Sequence, residues 1–312
     1  MPEMPSSSSR SLPSRTPFGP PARRGETAGM CAARTVLAIT GAAGGLGKAF
    51  AVECASRGWD LFLTDLRPEP LETLAAGLRR TYGIEVLTHP CDLTEAAARA
   101  GLFEHLAHEH LRFWGLVNVA GIDFEGPFLE QSPLHIRTIV RLNVEAVLEM
   151  THALLGLRDP LAVFRIINVA SLAAFYPMPV KATYAASKRF LLDFSLALRE
   201  EVRPLGATVT VLCPAGLPTT PEVVEAIEAQ GWMGQITTQN IGGVAARTLD
   251  YALAGRAVYI PGWINRLLQA LGSLAPAWLV ARLIGFRWKA ARQRRAHTPT
   301  SGGVKQPAEA FS

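Results

Sequence analysis

From residue 35 onward, short apolar runs alternate with longer segments in which apolar residues recur at helical spacing. The strand-like runs lie at 35–40, 60–65, 84–88, 115–119, 164–170, 207–212 and 257–260. The segments with helical spacing lie at 46–57, 69–81, 94–111, 133–156, 181–203 and 240–254. Continuous apolar strands that alternate with helices require helical cover on both faces of a parallel sheet. The pattern therefore predicts a doubly wound α/β fold with a parallel sheet of about seven strands.

The two ends of the chain differ from this pattern. Residues 1–29 contain six Ser, six Pro and three Gly and show no apolar periodicity. Such a segment cannot bury enough apolar surface to offset its ordering entropy. We predict a disordered tail over 1–33, one catalytic domain over 34–262, a helical extension over 263–296 and a second disordered tail over 297–312. A transit peptide and an upstream start misassigned before Met30 are both open interpretations of the first segment.

The extension has two apolar stripes separated by Pro276, and a basic end follows them. The stripes consist of Trp263, Ile264, Leu267, Leu268, Leu271 and Leu274, then Trp278, Leu279, Leu283 and Ile284. The basic residues are Arg287, Lys289, Arg292, Arg294 and Arg295. Two interpretations stay open for 263–295: packing on the domain or a sister subunit, and peripheral contact with an anionic membrane surface. We expect packing.

Charge and composition exclude several classes of protein. The net charge of +5 divides into +3 over 1–34, +6 over 282–312 and −4 over 35–281, so no basic nucleic-acid face is expected on the folded body. The four cysteines are far apart and form no CxxC pair, which argues against a disulfide framework and a zinc site. We expect a cytoplasmic protein without a bound metal. The longest apolar stretch, 271–286, contains Arg282 and Pro276, so no spanning helix is expected.

A glycine-rich segment follows the first predicted strand. It reads Thr40-Gly41-Ala42-Ala43-Gly44-Gly45-Leu46-Gly47 and precedes a predicted helix. Glycines at such a turn allow the backbone to approach a pyrophosphate, towards which the helix directs its first N–H groups. The segment is therefore a candidate dinucleotide site.

Two acidic residues follow the second and third predicted strands. Asp65 comes eighteen residues after Gly47, where a carboxylate accepts ribose hydroxyls and repels a 2′-phosphate. We expect NAD as the cofactor, with NADP as the alternative because Arg67 is close by. Asp92 is a candidate acceptor for the adenine amino group, and a cap for a helix beginning at Thr94 is the other interpretation.

A second group of polar residues points to proton transfer. Tyr184 and Lys188 are four residues apart in a predicted helix and so lie on one face, where an ammonium favours the phenolate. Ser171 closes the predicted strand 164–170, at the carboxyl edge where ligands of such sheets bind. A phenol, an ammonium and a hydroxyl in this arrangement suit acid–base chemistry on a carbonyl or alcohol oxygen.

These motifs together resemble the short-chain dehydrogenase/reductase family over roughly residues 35–262. The chain is similar to the bacterial members that have a C-terminal helical extension. The resemblance implies a Rossmann-like fold and an NAD(P)-dependent oxidoreductase acting on CH–OH donors. It implies that Tyr184 is the acid/base, Ser171 polarises the carbonyl, Lys188 binds the nicotinamide ribose and lowers the pKa of Tyr184, and Asn143 holds a water of the proton relay. The cofactor-binding positions that it implies are Thr40, Gly41, Gly45, Leu46, Gly47, Asp65, Asp92, Asn118, Ala120, Gly121, Tyr184, Lys188, Pro214, Gly216 and Thr219.

The chain departs from the family pattern at two places. The NNAG sequence of the family is Asn118-Val119-Ala120-Gly121 here, so its second Asn is absent. The PGxxxT sequence is Pro214-Ala215-Gly216-Leu217-Pro218-Thr219, with Ala in place of the first Gly. The spacing from proline to threonine is kept, and Thr219 therefore stays a candidate for the nicotinamide carboxamide.

Apolar residues surround the expected reaction centre. They are Leu172, Ala173, Phe175, Met178 and Val180 on one side, and several residues of 217–236, which we predict to form a lid. We expect the substrate to be a hydrophobic secondary alcohol or ketone. The alternative is a non-catalytic dinucleotide-binding sensor or scaffold of the same fold. A homodimer or homotetramer is the expected assembly.

Overall fold

The computed structural model of the chain describes residues 34–218 and 239–286. Within these residues seven strands form one parallel sheet in the order β3-β2-β1-β4-β5-β6-β7. The strands are β1 (Thr35–Thr40), β2 (Leu61–Thr64), β3 (Val86–Thr88), β4 (Arg112–Asn118), β5 (Phe164–Val169), β6 (Ala207–Leu212) and β7 (Val258–Tyr259). The predicted doubly wound α/β fold is confirmed, and the order reverses between β1 and β4, the switch point at which ligands of such sheets bind.

Helices connect the strands and cover the sheet. They are α1 (Gly45–Ser56), α2 (Pro68–Tyr82), α3 (Ala96–His108), α4 (Pro133–Val140), α5 (Ala146–Gly156), α6 (Ala182–Val202), α7 (Ile241–Leu253) and α8 (Trp263–Leu274). A π-helical turn, Arg141–Glu145, joins α4 to α5, and a short 3-10 helix, Leu172–Phe175, follows β5. Helix α8 and a further helical segment that begins at residue 277 belong to the C-terminal extension.

The two faces of the sheet have separate cores because successive residues of a strand point to opposite sides. On β1, Leu37 and Ile39 pack in a cluster with residues of α1, α2 and α7. Their neighbours Val36 and Ala38 pack in the opposite cluster with residues of α3 and α5. The continuous apolar character of the strands thus follows from cover on both faces.

Two predicted helices differ from the observed ones. The segment 133–156, predicted as one helix, contains the π-helical turn between α4 and α5. The segment 94–111 shortens to α3, because residues 92–95 form a turn ahead of the helix. No helix within 34–218 and 239–286 combines the length and apolar content that a bilayer crossing needs.

Candidate active site

The turn between β1 and α1 is packed too tightly for side chains at two of its glycines. Gly41 has a φ of +62°, and a Cβ there would lie 2.9 Å from the backbone of Ala120. A Cβ at Gly47 would lie 2.0 Å from the carbonyl oxygen of Gly41. The backbone of β1 therefore comes close to the end of β4, and the first turn of α1 comes close to the glycine-rich turn.

The N-terminus of α1 has the properties of an anion site. Gly44, at the N-cap, provides no side-chain hydrogen bond, and the first turn of α1 contains no acidic residue. The first N–H groups of a helix lack intrahelical acceptors and lie at the positive end of its dipole. Leu46 is buried against the sheet. A tight glycine turn ahead of an uncapped helix fits the pyrophosphate of a dinucleotide.

Thr40 fixes the adjoining end of β4. Its hydroxyl oxygen accepts hydrogen bonds from the N–H groups of Val119 and Ala120, at 3.1 and 3.2 Å. The side chain of Asn118 is buried and donates to Thr151 Oγ1 and Asn168 Oδ1. Asn118 therefore supports the sheet with its side chain.

The carboxylate of Asp65 accepts hydrogen bonds from two backbone N–H groups. Its Oδ2 accepts from the N–H of Ala43 at 2.9 Å, and its Oδ1 accepts from the N–H of Arg67 at 3.1 Å. The Arg67 guanidinium lies 3.3 Å from the same Oδ1, and its side chain is 56% exposed while that of Asp65 is 8% exposed. Asp65 thus holds the glycine-rich turn against the end of β2, and a cation stands beside it.

Asp92 forms a turn ahead of α3. Its Oδ1 accepts from the N–H and the hydroxyl of Thr94, at 2.8 and 2.7 Å. The interpretation as a local cap describes this bonding, although α3 begins at Ala96 and not at Thr94. One carboxylate oxygen of Asp92 is engaged in this turn.

Ser171 and Tyr184 meet at the carboxyl edge of the sheet. Ser171 lies two residues beyond β5, where its Oγ accepts from the N–H of Ala173 at 3.1 Å and caps the 3-10 helix. Tyr184 lies in the first turn of α6, and its phenol is near enough to the Ser171 side chain for that hydroxyl to lower the pKa of the phenol. The hydroxyl and the phenol expected to act together are therefore adjacent.

Lys188 lies one turn further along α6 and is buried. Its Nζ donates to the carbonyl oxygen of Val169 at 3.0 Å and lies 5.7 Å from the centre of the Tyr184 ring. A Cβ at Gly121 would lie 3.1 Å from this Nζ, so the glycine leaves room for the ammonium. Lys188 thus stands between the end of β5, the loop after β4 and the phenol.

The protonation of the pair differs from the expectation. The pKa of Tyr184 is raised to about 12, mainly by burial and also by the charge of Asp123, while the neighbouring Ser171 hydroxyl lowers it. Burial lowers the pKa of Lys188 to about 8, against a rise caused by Asp123. The expected lowering of the Tyr184 pKa is thus not found, because desolvation of the phenolate prevails.

Asn143 lies in the π-helical turn and is fully buried. Its Oδ1 accepts from the N–H of Ile122 at 2.9 Å, and its Nδ2 donates to the carbonyl oxygen of Ile122 and to Ser187 Oγ. Ser187 in turn donates to the carbonyl oxygen of Tyr184 at 2.7 Å. Both N–H groups of the Asn143 amide are used in joining the loop after β4 to α6.

A charge cluster beside Tyr184 escaped the sequence analysis. The ammonium of Lys181 pairs with Asp123 and lies 3.4 Å from Glu125. It also lies 5.9 Å from the centre of the Tyr184 ring. The only available signal was the short stretch Asp123-Phe124-Glu125 after Gly121, which has no recognisable spacing to Lys181.

The loop after β6 completes the edge of the sheet. The carbonyl oxygen of Pro214 accepts from the N–H of Leu172 at 2.7 Å, and that of Gly216 accepts from the N–H of Gln239 at 3.4 Å. Pro214 therefore joins the loop to the 3-10 helix that follows Ser171. Thr219 and residues 219–236 of the predicted lid lie outside the described residues.

The chain matches a protein family and is similar to several known proteins. The profile of the family described as "short chain dehydrogenase" matches residues 35–230. The 17-beta-hydroxysteroid dehydrogenase type 3 of Homo sapiens is 29% identical over 236 residues, which are 72% of this chain and 75% of that protein. The very-long-chain 3-oxoacyl-CoA reductase of Laccaria bicolor is 35% identical over 175 residues, 55% of this chain and 51% of that protein. The chain thus spans about half of the latter relative.

Solved structures show the same fold. The short-chain dehydrogenase of Sphingobium yanoikuyae in complex with NADPH has a TM-score of 0.63 and 26% identity, covering 88% of this chain and 99% of that one. A structure of a 7beta-hydroxysteroid dehydrogenase has a TM-score of 0.72 and 22% identity, covering 81% of this chain and 96% of that one. The second likeness shows the fold alone.

Proposed function

Because the chain belongs to the short-chain dehydrogenase family, whose members are NAD(P)-dependent oxidoreductases acting on CH–OH donors, we propose that it interconverts a secondary alcohol and a ketone on an apolar substrate. The observation that supports the proposal is the meeting of Ser171, Tyr184 and Lys188 at the carboxyl edge of the sheet. The glycine-rich turn that fits a dinucleotide lies at the same edge. Acid–base groups beside a cofactor cradle suit this reaction.

We assign the proton transfer to Tyr184. When bound, the nicotinamide supplies or accepts the hydride at the carbon of the substrate. In reduction the Tyr184 phenol donates its proton to the substrate oxygen, and in oxidation the phenolate accepts it. The raised pKa keeps the phenol protonated near neutral pH, the form that reduction requires. The Ser171 hydroxyl orients the substrate oxygen, and the Lys188 ammonium stabilises the phenolate.

The remaining residues hold the cofactor and the relay in place. Gly41, Gly47 and the start of α1 would hold the pyrophosphate, while Asp65 stabilises the turn and would accept from the ribose hydroxyls. We propose NAD as the preferred cofactor, since an anion at this position repels a 2′-phosphate. Asn143 joins the loop after β4 to α6, the helix that contains Lys188, and Lys188 would bind the nicotinamide ribose.

The apolar character of the substrate has two supports. The backbone that follows Ser171 forms a 3-10 helix of Leu172, Ala173, Ala174 and Phe175. The names of two relatives refer to a steroid and to a very-long-chain acyl group, both large and apolar. A hydrophobic ketone or alcohol is therefore the substrate class that we propose.

We also propose a cellular compartment and an oligomeric state for this chain. Cys54, Cys91 and Cys213 are buried free thiols, as suits a reducing cytoplasmic compartment. On α6 the side chains of Phe190 and Leu196 are about two-fifths exposed, which supports a homodimer or homotetramer. Sedimentation velocity of the purified chain tests the assembly.

The decisive experiment is a screen of apolar alcohols and ketones with NAD(H) and NADP(H), followed by the Tyr184→Phe variant. We expect kcat on the best substrate to fall about 100-fold or more in this variant, because the proton donor is lost while the ring remains. Cofactor affinity, measured by fluorescence titration, is expected to change little. Cofactor binding without turnover on any substrate would favour the sensor or scaffold instead.

A further inference from the structure

The outward face of α8 is apolar. Trp263, Leu267 and Leu271 are four residues apart, so they line one side of the helix. Their side chains are 70%, 49% and 56% exposed, and Leu274 at the end of the helix is 84% exposed. Neighbouring apolar side chains with this exposure form a continuous surface, in contrast to the single exposed leucines that proteins commonly have.

The helical segment that begins at residue 277 adds to this surface. Trp278, Leu283 and Phe286 are 68%, 56% and 58% exposed. Arg282 lies among them, with its guanidinium carbon 5.7 Å from the centre of the Phe286 ring. We call the set Trp263, Leu267, Leu271, Leu274, Trp278, Leu283 and Phe286 the apolar strip.

The opposite face of α8 is fixed to the catalytic domain. A Cβ at Gly272 would lie 2.2 Å from a ring carbon of Tyr176, so the helix and the tyrosine are in direct contact. Asn265 is fully buried and donates to the carbonyl oxygen of Pro261 at 2.8 Å. In the helical segment that begins at residue 277, a Cβ at Gly285 would lie 3.4 Å from Pro179. The contacts of Gly272 and Gly285 both involve the segment that follows Ser171, so the apolar strip lies next to the candidate active site.

Charge identifies the surface that would cover the strip. Residues 263–296 contain seven Lys and Arg and no Asp or Glu, whereas residues 35–262 contain 18 Lys and Arg against 23 Asp and Glu. Two copies joined through the strip would bring two such cationic segments together. Aromatic and Leu side chains combined with cations suit a lipid bilayer, which is apolar inside and can be anionic at its surface.

We propose that the apolar strip binds the surface of a membrane that contains anionic lipids. The helices lie in the interface, with Trp263 and Trp278 at the level of the headgroups and the leucines among the acyl chains. The exposed cations Arg266 and Arg282 contact the lipid phosphates. Given the proposed activity, this attachment places the active-site edge beside the bilayer, from which an apolar substrate enters without crossing water.

Vesicle sedimentation of the full chain tests the proposal. We expect binding to vesicles of phosphatidylcholine with phosphatidylserine and weaker binding to phosphatidylcholine alone. Raising the salt from low to about 0.5 M should weaken binding, because the Debye length falls below about 5 Å. The triple variant Leu267→Gln/Leu271→Gln/Leu274→Gln should bind about tenfold or more weakly, since the buried apolar area is lost.

A matched control uses exposed leucines elsewhere. Leu161 and Leu205 are 73% and 51% exposed and precede β5 and β6, at the opposite edge of the sheet. Leu161→Gln/Leu205→Gln should bind vesicles as the wild type does. Both variants should keep the wild-type melting temperature, because the substituted side chains are exposed.

Fluorescence and sedimentation without lipid complete the test. Vesicles should shift the tryptophan emission of the wild type to the blue, and Trp263→Phe/Trp278→Phe should reduce the shift. Absence of vesicle binding overturns the proposal, as does equal binding to both kinds of vesicle. A lipid-free oligomer that the triple variant dissociates would also overturn it, because a second copy would then cover the strip. None of these readouts depends on turnover.

Discussion

At the scale of single residues, burial determines the chemistry of the Tyr184–Lys188 pair. Desolvation raises the pKa of the phenol to about 12 and lowers that of the ammonium to about 8. Lys188 is therefore cationic below about pH 8 and loses its charge above it. The phenol remains protonated throughout this range, so the charge of the lysine is the quantity that changes near physiological pH.

This order of titration predicts a descending limb in the pH profile. For the reductive reaction, kcat/KM is expected to fall as the pH rises past about 8, because a neutral Lys188 no longer stabilises the phenolate. The charge of Asp123 raises the pKa of Lys188, so Asp123→Asn should move the limb to lower pH. Glu104→Gln, at an exposed position on α3, is the control and should leave the profile unchanged. An identical profile in Asp123→Asn would contradict the assignment.

Cofactor preference depends on two neighbouring charges of opposite sign. We expect the wild type to have the higher kcat/KM with NAD(H), and Asp65→Asn to reduce that preference because it removes the anion but keeps an acceptor for the N–H of Ala43. Arg67→Ala should strengthen the preference, since its exposed guanidinium is the cation within reach of a 2′-phosphate. Steady-state kinetics with both cofactors measure the effect. A wild-type preference for NADP(H) would assign the recognition to Arg67.

At the scale of elements, the strands were predictable and the irregular turns were not. Strand β5 is buried along its whole length, and four of its six residues are apolar, so it is visible in the sequence. The π-helical turn at Asn143 has no such signature, because it is a single turn within a segment that is helical on both sides of it. Val180 has a φ of +62°, which a β-branched residue rarely adopts, so the sequence gives no reason to expect it.

The candidate site was predictable to the same extent. The motif residues Ser171, Tyr184 and Lys188 were identified by spacing, and the structure brings them together. The pKa shifts of Tyr184 and Lys188 depend on burial. The contact between Asp65 and Ala43 depends on which backbone atoms meet. Spacing alone contains neither quantity, so both had to come from three-dimensional packing.

The turn into α1 provides a test at this scale. Gly47→Ala should abolish cofactor binding and lower the melting temperature, because its Cβ would lie 2.0 Å from a backbone oxygen. Gly77→Ala in α2 is the matched control, since a Cβ there has nothing within 4 Å. That change should stabilise the protein by about 0.5–1 kcal/mol, the cost of glycine within a helix. Calorimetry and cofactor titration distinguish the two, and normal cofactor affinity in Gly47→Ala would contradict the assigned cradle.

At the scale of the whole molecule, the sheet brings residues that are far apart in sequence to one edge. The N–H of Ala120, after β4, donates to the hydroxyl of Thr40 at the end of β1 because the two strands are neighbours in the sheet. Ser171 follows β5, the next strand in the sheet, and Pro214 follows β6. The cofactor and substrate ends of the candidate site are thus consequences of one parallel topology, in which all carboxyl ends meet.

Residues 1–29 precede both the family match and the central strand β1, so we expect them to be dispensable for folding and for cofactor binding. The family match begins at residue 35, and the residues that we assign to the cofactor begin at Thr40. A chain beginning at Met30 should therefore keep both the melting temperature and its rise on adding NADH. A ligand at a hundredfold excess over its Kd stabilises the folded state by about 2.7 kcal/mol, which a thermal-shift assay resolves easily. Deletion through Thr40 is the contrasting variant, because it removes the central strand β1 and should leave no cooperative transition. A lower melting temperature or a smaller NADH shift in the chain beginning at Met30 would mean that residues 1–29 contribute to the folded domain.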